Sequence, residues 1–203
     1  MPRVSLDLAA RADHPSLLTR FLLAVTRRQY GRDLDTVLAL SHRPPLLRAW
    51  GRFEMSNARM RSVLPGHLGE LVVFVTGVRV GCSWCVDFGA SLWERQGLDG
   101  ATLVEAVDWR NSAGFDAGAR AAFEYAEALS ADPVAVDDQL AERVRDHFGE
   151  AGLVEVTYWA ALENMRSRFN TGLGLTSQGF SSGEACSLAL AAAAAGRATP
   201  AGD

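Results

Sequence analysis

Two cysteines separated by two residues, in the run Cys82-Ser83-Trp84-Cys85, carry the strongest chemical signal in the chain. At the start of a helix they lie on one face, because three residues at about 100° each nearly complete a turn and rise only ~4.5 Å. Such a pair can reach disulfide distance. The first turn of a helix also offers unpaired N–H groups and the positive end of the macrodipole, which favour a thiolate over a thiol and so activate a nucleophile. Reversible thiol–disulfide exchange, or a peroxidatic cysteine with a resolving neighbour, suits this spacing. Two other uses stay open: half of a zinc site, which needs two more Cys or His ligands, and plain packing as small apolar side chains. The four histidines (His14, His42, His67, His147) are scattered, and Cys186 lies far from the pair.

Glu70 stands twelve residues before Cys82 in an otherwise apolar run. It either complements the N-terminal dipole of its own helix from an exposed position, or faces the thiols as a partly buried carboxylate able to relay a proton. His67, one turn earlier, reads as a surface histidine. Asp87, two residues after Cys85, is expected to face solvent, since such neighbours point apart on a helix. Asn164 and Arg168 are i, i+4 on the last long helix and read as ties between loops or subunits rather than as a substrate-carboxylate clamp. Tyr158 and Trp159 read as core or interface anchors.

Composition narrows the chemistry further. The chain has 203 residues, 48% hydrophobic and 22% charged, with net charge −4, and all 20 basic residues are arginine. Without lysine there is no Schiff base, no pyridoxal phosphate anchor and no P-loop clamp from this chain. Arginines and carboxylates are interspersed, which argues against a nucleic-acid partner. The longest apolar stretch, residues 71–80, is interrupted by Thr76, Gly77 and Arg79 and is far shorter than a membrane span of ~20 residues, so no membrane partner is expected. The run 17–25 contains Arg20, follows Asp7 and Asp13, and has no cleavage site after it, so it does not read as a secretory signal and a cytoplasmic location is expected. No cofactor or metal is expected.

Helical periodicity dominates. Leu17, Leu18, Phe21, Leu22 and Val25 form an apolar face after Pro15, with Arg27 and Arg28 before Gly31. Further helices are predicted over 33–41, from 46 to about 60 after the Pro44-Pro45 break, over 67–78, from Cys82 to Gly97, over 101–107, 118–129 and 136–148, and from 152 or 153 to 170. Gly149 separates the last two. No strands alternate with helices, so the fold class is all-α. Residues 181–203 read as a mobile or partly helical tail in which the alanine run 191–195 has little to bury. Leu, Val and aromatic residues outnumber what one small core buries, which predicts an oligomer.

The motifs Leu64-Pro65, Glu70, Cys82-Ser83-Trp84-Cys85 and Asn164-x-x-x-Arg168-Phe169-Asn170 resemble the carboxymuconolactone decarboxylase and alkylhydroperoxidase D-like (AhpD-like) family, over roughly residues 45–175. The resemblance implies an AhpD-like helical bundle as one domain over 1–175, a small-residue-rich tail over 176–203, and a homo-oligomer. It further implies catalytic roles for Cys85 as attacking thiolate, Cys82 as resolving thiol and Glu70 as proton relay. The reaction would be thiol–disulfide exchange or weak reduction of a hydroperoxide, with a thiol protein or small thiol as reductant. Family members of this branch carry a histidine four residues after the second cysteine, where this chain has Gly89. That departure removes the residue best suited to move a proton near neutral pH and points to a slow peroxidase. Decarboxylation of a small lactone, or a non-catalytic oligomer, are the alternatives the resemblance leaves.

Overall fold

Caps and left-handed glycines set the helix ends in the computed structural model, which describes residues 1–8, 16–181, 187–192 and 194. Asp13, His14, Pro15 and Cys186 lie outside the described residues. In chain order the helices are α1 (Leu17–Tyr30), α2 (Asp35–Leu40), α3 (Pro44–Asn57), α4 (Leu68–Val80), α5 (Ser83–Arg95), α6 (Gly100–Val107), α7 (Ala117–Leu129) and α8 (Asp138–Gly172). No strand occurs among the described residues. The chain is all-α, as its periodicity predicts. No helix among these residues is long and apolar enough to cross a membrane.

The chain divides into two compact units. One comprises Met1–Arg61 with Gly172–Leu175. In it, Ser16 caps α1 by accepting from the Thr19 N–H, and Gly31 ends the helix at φ 79°. Thr19 and Leu23 are the buried side of α1, while Leu17, Phe21 and Val25 are 82%, 64% and 40% exposed. The apolar face expected from sequence is therefore largely the outer one, because the helix carries hydrophobic residues on more than one side. Pro44 and Pro45 occupy the first turn of α3 instead of preceding it. Proline lacks an N–H that the first turn would leave unpaired anyway, so it starts this helix rather than breaking the chain ahead of it. The N-terminus is pinned to residues 172–173: Arg3 donates from its backbone N–H to the Leu173 carbonyl and from Nη1 to that of Gly172.

The other unit comprises Ser62–Thr171 with Thr176–Asp203. Its core is built from Val72 and Val75 of α4, Val86 and Trp93 of α5, Leu103 of α6, Phe123 of α7, and Val144 and Val156 of α8. Gly149 interrupts α8 at φ 69°, ψ −178°, a conformation reserved to glycine, so the sequence-predicted stop is seen as a break between two helical arms. Residues 187–192 are helical, and Ala189 is fully buried in the core. The described residues of the alanine run itself bury little: Ala191 and Ala194 are exposed and Ala192 is partly buried.

A buried carboxylate fixes the entry to α4. Glu155, 7% exposed, accepts from Ser62 Oγ at 2.6 Å, the Val63 N–H at 2.7 Å and Trp159 Nε1 at 2.9 Å. Burial pushes its pKa up, but the three donors outweigh this and hold the carboxyl below the usual carboxylate range. A depressed folded-state pKa contributes stability that is complete above the unfolded value, about 4.3, and is lost as pH falls through the folded value. Glu155→Gln is therefore expected to be less stable than wild type at neutral pH, with the gap closing below about pH 4. Urea midpoints from pH 7 to pH 3 check this; a pH-independent gap would contradict it.

Candidate functional site

The turn that presents the cysteines follows from Gly81, which ends α4 at φ 79° and allows the chain to reverse at once into α5. Cys82 is the N-cap of α5, and its Sγ accepts from the Cys85 N–H at 3.2 Å. The two cysteines are joined as a disulfide, with Cα atoms 5.3 Å apart. Cys82 is 1% exposed, whereas Cys85 is only half-buried. Of the two residues Cys85 is the more exposed, and it sits in the first turn of α5, at the positive end of the helix dipole.

α5 runs back along α4, and the pairing has a clear register. A Cβ on Gly77 would lie 3.7 Å from Cys85 Cβ, one on Gly89 would lie 3.7 Å from the Phe74 ring, and the His67 and Trp93 rings meet edge to face at 5.6 Å. Glu70 falls near the far end of this pairing. It is two turns, ~10.5 Å along the axis, from the Gly77 level. Its carboxylate lies 3.6 Å from His67 Nδ1, and both side chains are about half-exposed. The structure therefore brings Cys82 and Cys85 together, and pairs Glu70 with His67.

Polar groups on α8 take the place beside Cys85. Ser167 Oγ lies 3.4 Å and Asn170 Nδ2 3.5 Å from its Sγ. Ser167 Oγ also lies 2.9 Å from Glu163 Oε1, and Arg166 Nη1 is 3.6 Å from Glu163 Oε2. Glu163, Ser167 and Asn170 are 3%, 0% and 1% exposed. Neither Glu163 nor Ser167 stands out in a search for motifs. The available signal is the stripe Val156, Ala160, Glu163, Ser167, Asn170, one helix face that turns from apolar to polar while staying buried. The neighbouring residues singled out from sequence behave structurally: Asn164 donates to Ser130 Oγ and to the Ala160 carbonyl, and Arg168 is exposed.

Asp87 is the clear correction to the sequence reading. It is 0% exposed rather than solvent-facing. Its Oδ2 accepts from Ser177 Oγ and the N–H groups of Gln178 and Gly179 at 2.7–2.8 Å, and its Oδ1 from the Ser181 N–H at 2.9 Å. The segment 176–181 is thereby strapped over the first turns of α5. Gln178 Oε1 accepts from Trp84 Nε1, and Phe180 packs edge-on against Trp84 and Phe88. Asp87 does point away from Cys85, but the face opposite Cys85 is covered by chain some 90 residues away instead of by solvent. A cavity of about 140 Å³ lies between α4, α6 and α7, lined by Val75, Arg79, Val107 and Glu127 among others, and includes neither cysteine. Among the described residues no group of three or more His, Cys, Asp or Glu is placed to hold a metal ion.

Comparison with known proteins agrees with this architecture. Residues 44–128 match the model of the carboxymuconolactone decarboxylase family. YnjA of Escherichia coli (strain K12), a protein of uncharacterised activity, is 34% identical over 154 residues, covering 75% of this chain and 84% of its own. Among solved structures, the AhpD-core peroxidase-related protein of Ralstonia eutropha JMP134 superposes with TM-score 0.72 at 19% identity, covering 88% of this chain and 94% of its own. The apo debrominase Bmp8 superposes with TM-score 0.70 at 17% identity, covering 87% and 92% respectively. At these identities the likeness to solved structures is one of fold.

Proposed function

We propose that this chain, which belongs to the carboxymuconolactone decarboxylase family, is a thiol-dependent oxidoreductase in which Cys82 and Cys85 cycle between dithiol and disulfide. The observation that carries the reading is the Cys82–Cys85 disulfide at the start of α5, with the Cys85 sulfur facing two hydrogen-bond donors of α8. With a hydroperoxide as substrate, the Cys85 thiolate attacks the terminal peroxide oxygen; an S–O bond forms, the O–O bond breaks, and the alkoxide leaves and takes up a proton. Cys82 then attacks the sulfenic sulfur, forming the disulfide and releasing water. A dithiol reductant returns two electrons and two protons by thiol–disulfide exchange. Glu70 is engaged by His67 in this reading, so proton transfer at Cys85 falls to nearer groups.

The exposed stripe Leu17, Phe21 and Val25 on α1 supports assembly into a homo-oligomer. The function is tested by counting free thiols in the reduced protein before and after one equivalent of hydroperoxide. Wild type is expected to lose two thiols and Cys85→Ser none; retention of both thiols by wild type would refute the reading.

A further inference from the structure

We propose that Ser167 and Glu163 form the proton relay for Cys85: the Cys85 thiol proton passes to the Ser167 hydroxyl as that hydroxyl passes its own proton to the Glu163 carboxylate. The proposal deepens the functional reading above and rests on Cys85 being the reacting thiol.

Ser167 Oγ lies within reach of both Glu163 Oε1, at 2.9 Å, and Cys85 Sγ, at 3.4 Å, yet a hydroxyl carries a single hydrogen. Once the disulfide is reduced, only two arrangements satisfy the chain. In one, Cys85 is a thiol donating to Ser167, which donates to a Glu163 carboxylate. In the other, Glu163 is a carboxylic acid donating to Ser167, which donates to a Cys85 thiolate. The two differ by the transfer of one proton along two hydrogen bonds, with no change in total charge. Burial favours such sharing, because two anions this close and this poorly hydrated repel strongly.

The surroundings fit a site that holds one negative charge. Arg166 Nη1, at 3.6 Å, faces Glu163 Oε2, and Asn170 Nδ2 faces the sulfur. Several ionisable groups of the neighbouring helices are held away from it. On α4, Glu70 pairs with His67, and Arg79 lines the cavity that includes neither cysteine. On α5, Asp87 is held by the strap. On α7, Glu124 pairs with Arg143 and Glu127 with Arg110. Gly77 completes the arrangement, since a Cβ there would contact Glu163 Oε1, Cys85 Cβ and Val86 Cγ2, so α4 closes over the relay with no side chain between.

The test is the pH dependence of alkylation by iodoacetamide in reduced protein carrying Cys82→Ser and Cys186→Ser, where Cys85 is the one remaining thiol. With Glu163 and Ser167 present, the rate is expected to rise in two steps separated by a plateau, since the first proton leaves a shared pair and the second leaves against a charge already there. Glu163→Gln in this background is expected to lose the lower step and show a single ionisation. A profile for Glu163→Gln that superimposes on its parent overturns the relay. Should that variant lose its helical circular dichroism, Ser167→Ala carries the same test, and a two-step profile surviving in it overturns the proposal. Thiol counting with hydroperoxide in the unsubstituted protein keeps the two claims apart. Loss of the pair with an unchanged profile refutes only the relay, whereas retention of both thiols refutes the redox reading itself.

Discussion

Replacing Asp87 by alanine is expected to lower the thermal midpoint by about 10 °C and to open residues 176–181 to proteolysis, while leaving α4 and α7 helical. The Asp87 carboxylate accepts from three backbone N–H groups and one hydroxyl, all supplied from within residues 177–181. Buried donors left vacant cost about 1–3 kcal/mol each, so four of them could not all stay buried. The cheaper outcome is that the strap lifts and its N–H groups return to water. Its release forfeits the packing of Phe180 on Trp84 and Phe88 and the Trp84–Gln178 hydrogen bond. Removal of one partner from a buried charged network typically costs about 3–5 kcal/mol, and about 2–4 °C per kcal/mol applies to a chain of this length. Asp87→Asn keeps an acceptor for the N–H groups at Oδ and should fall between the two. Calorimetry with limited proteolysis checks the pair of variants; an Asp87→Ala protein with wild-type midpoint and an uncut strap would contradict the assignment.

The contrast between Asp87 and Cys82 shows what a sequence exposes and what it conceals. Cys82, Gly81 and Gly31 act on their own local backbone as caps and turns, so residue type and spacing suffice to place them. Gly149 is of the same kind. Asp87 depends on a partner segment 90 or more residues away, and nothing in the run around it says that this side of α5 is covered. Glu163 and Ser167 are intermediate cases. Their i, i+4 spacing is local, but the choice between their face and the adjacent Asn164 and Arg168 face needs the buried stripe to be traced back to Val156 and Ala160. On α1 that choice favours the side bearing Thr19 and Leu23, because a helix apolar on several sides does not reveal which side is inward. The family resemblance supplied the roles given to the two cysteines and placed emphasis on Glu70, which this structure finds paired with His67 at the half-exposed end of α4.

Gly89→His is expected to raise hydroperoxide turnover by at least about tenfold near neutral pH, a fraction of the ~10²–10⁴-fold that general acid–base help supplies at full effect. The register of α4 against α5 explains why position 89 is the productive one. It lies one turn beyond Cys85, and the side chain it faces on α4 is Phe74, itself one turn beyond Glu70. An imidazole there occupies the level between the sulfur and the carboxylate, and its ordinary pKa lets it exchange a proton at physiological pH. A Cβ at this site makes only a normal 3.7 Å contact with the Phe74 ring. Exchanging a mid-helix glycine for histidine also removes backbone entropy from the unfolded chain, so the fold should tolerate it. The decisive comparison is Glu70→Gln in both backgrounds. With Gly89 in place, Glu70 is tied to His67 and its loss should change turnover by less than about twofold, within the scatter expected of a group outside the proton path. With histidine in place, the same substitution should remove most of the gain, because the imidazole then needs the carboxylate to hold its tautomer and orientation. Steady-state turnover of the four proteins, each checked for helicity, separates the cases: a Glu70→Gln defect that is equal in both backgrounds would place Glu70 in the native proton path and weaken the case for Glu163.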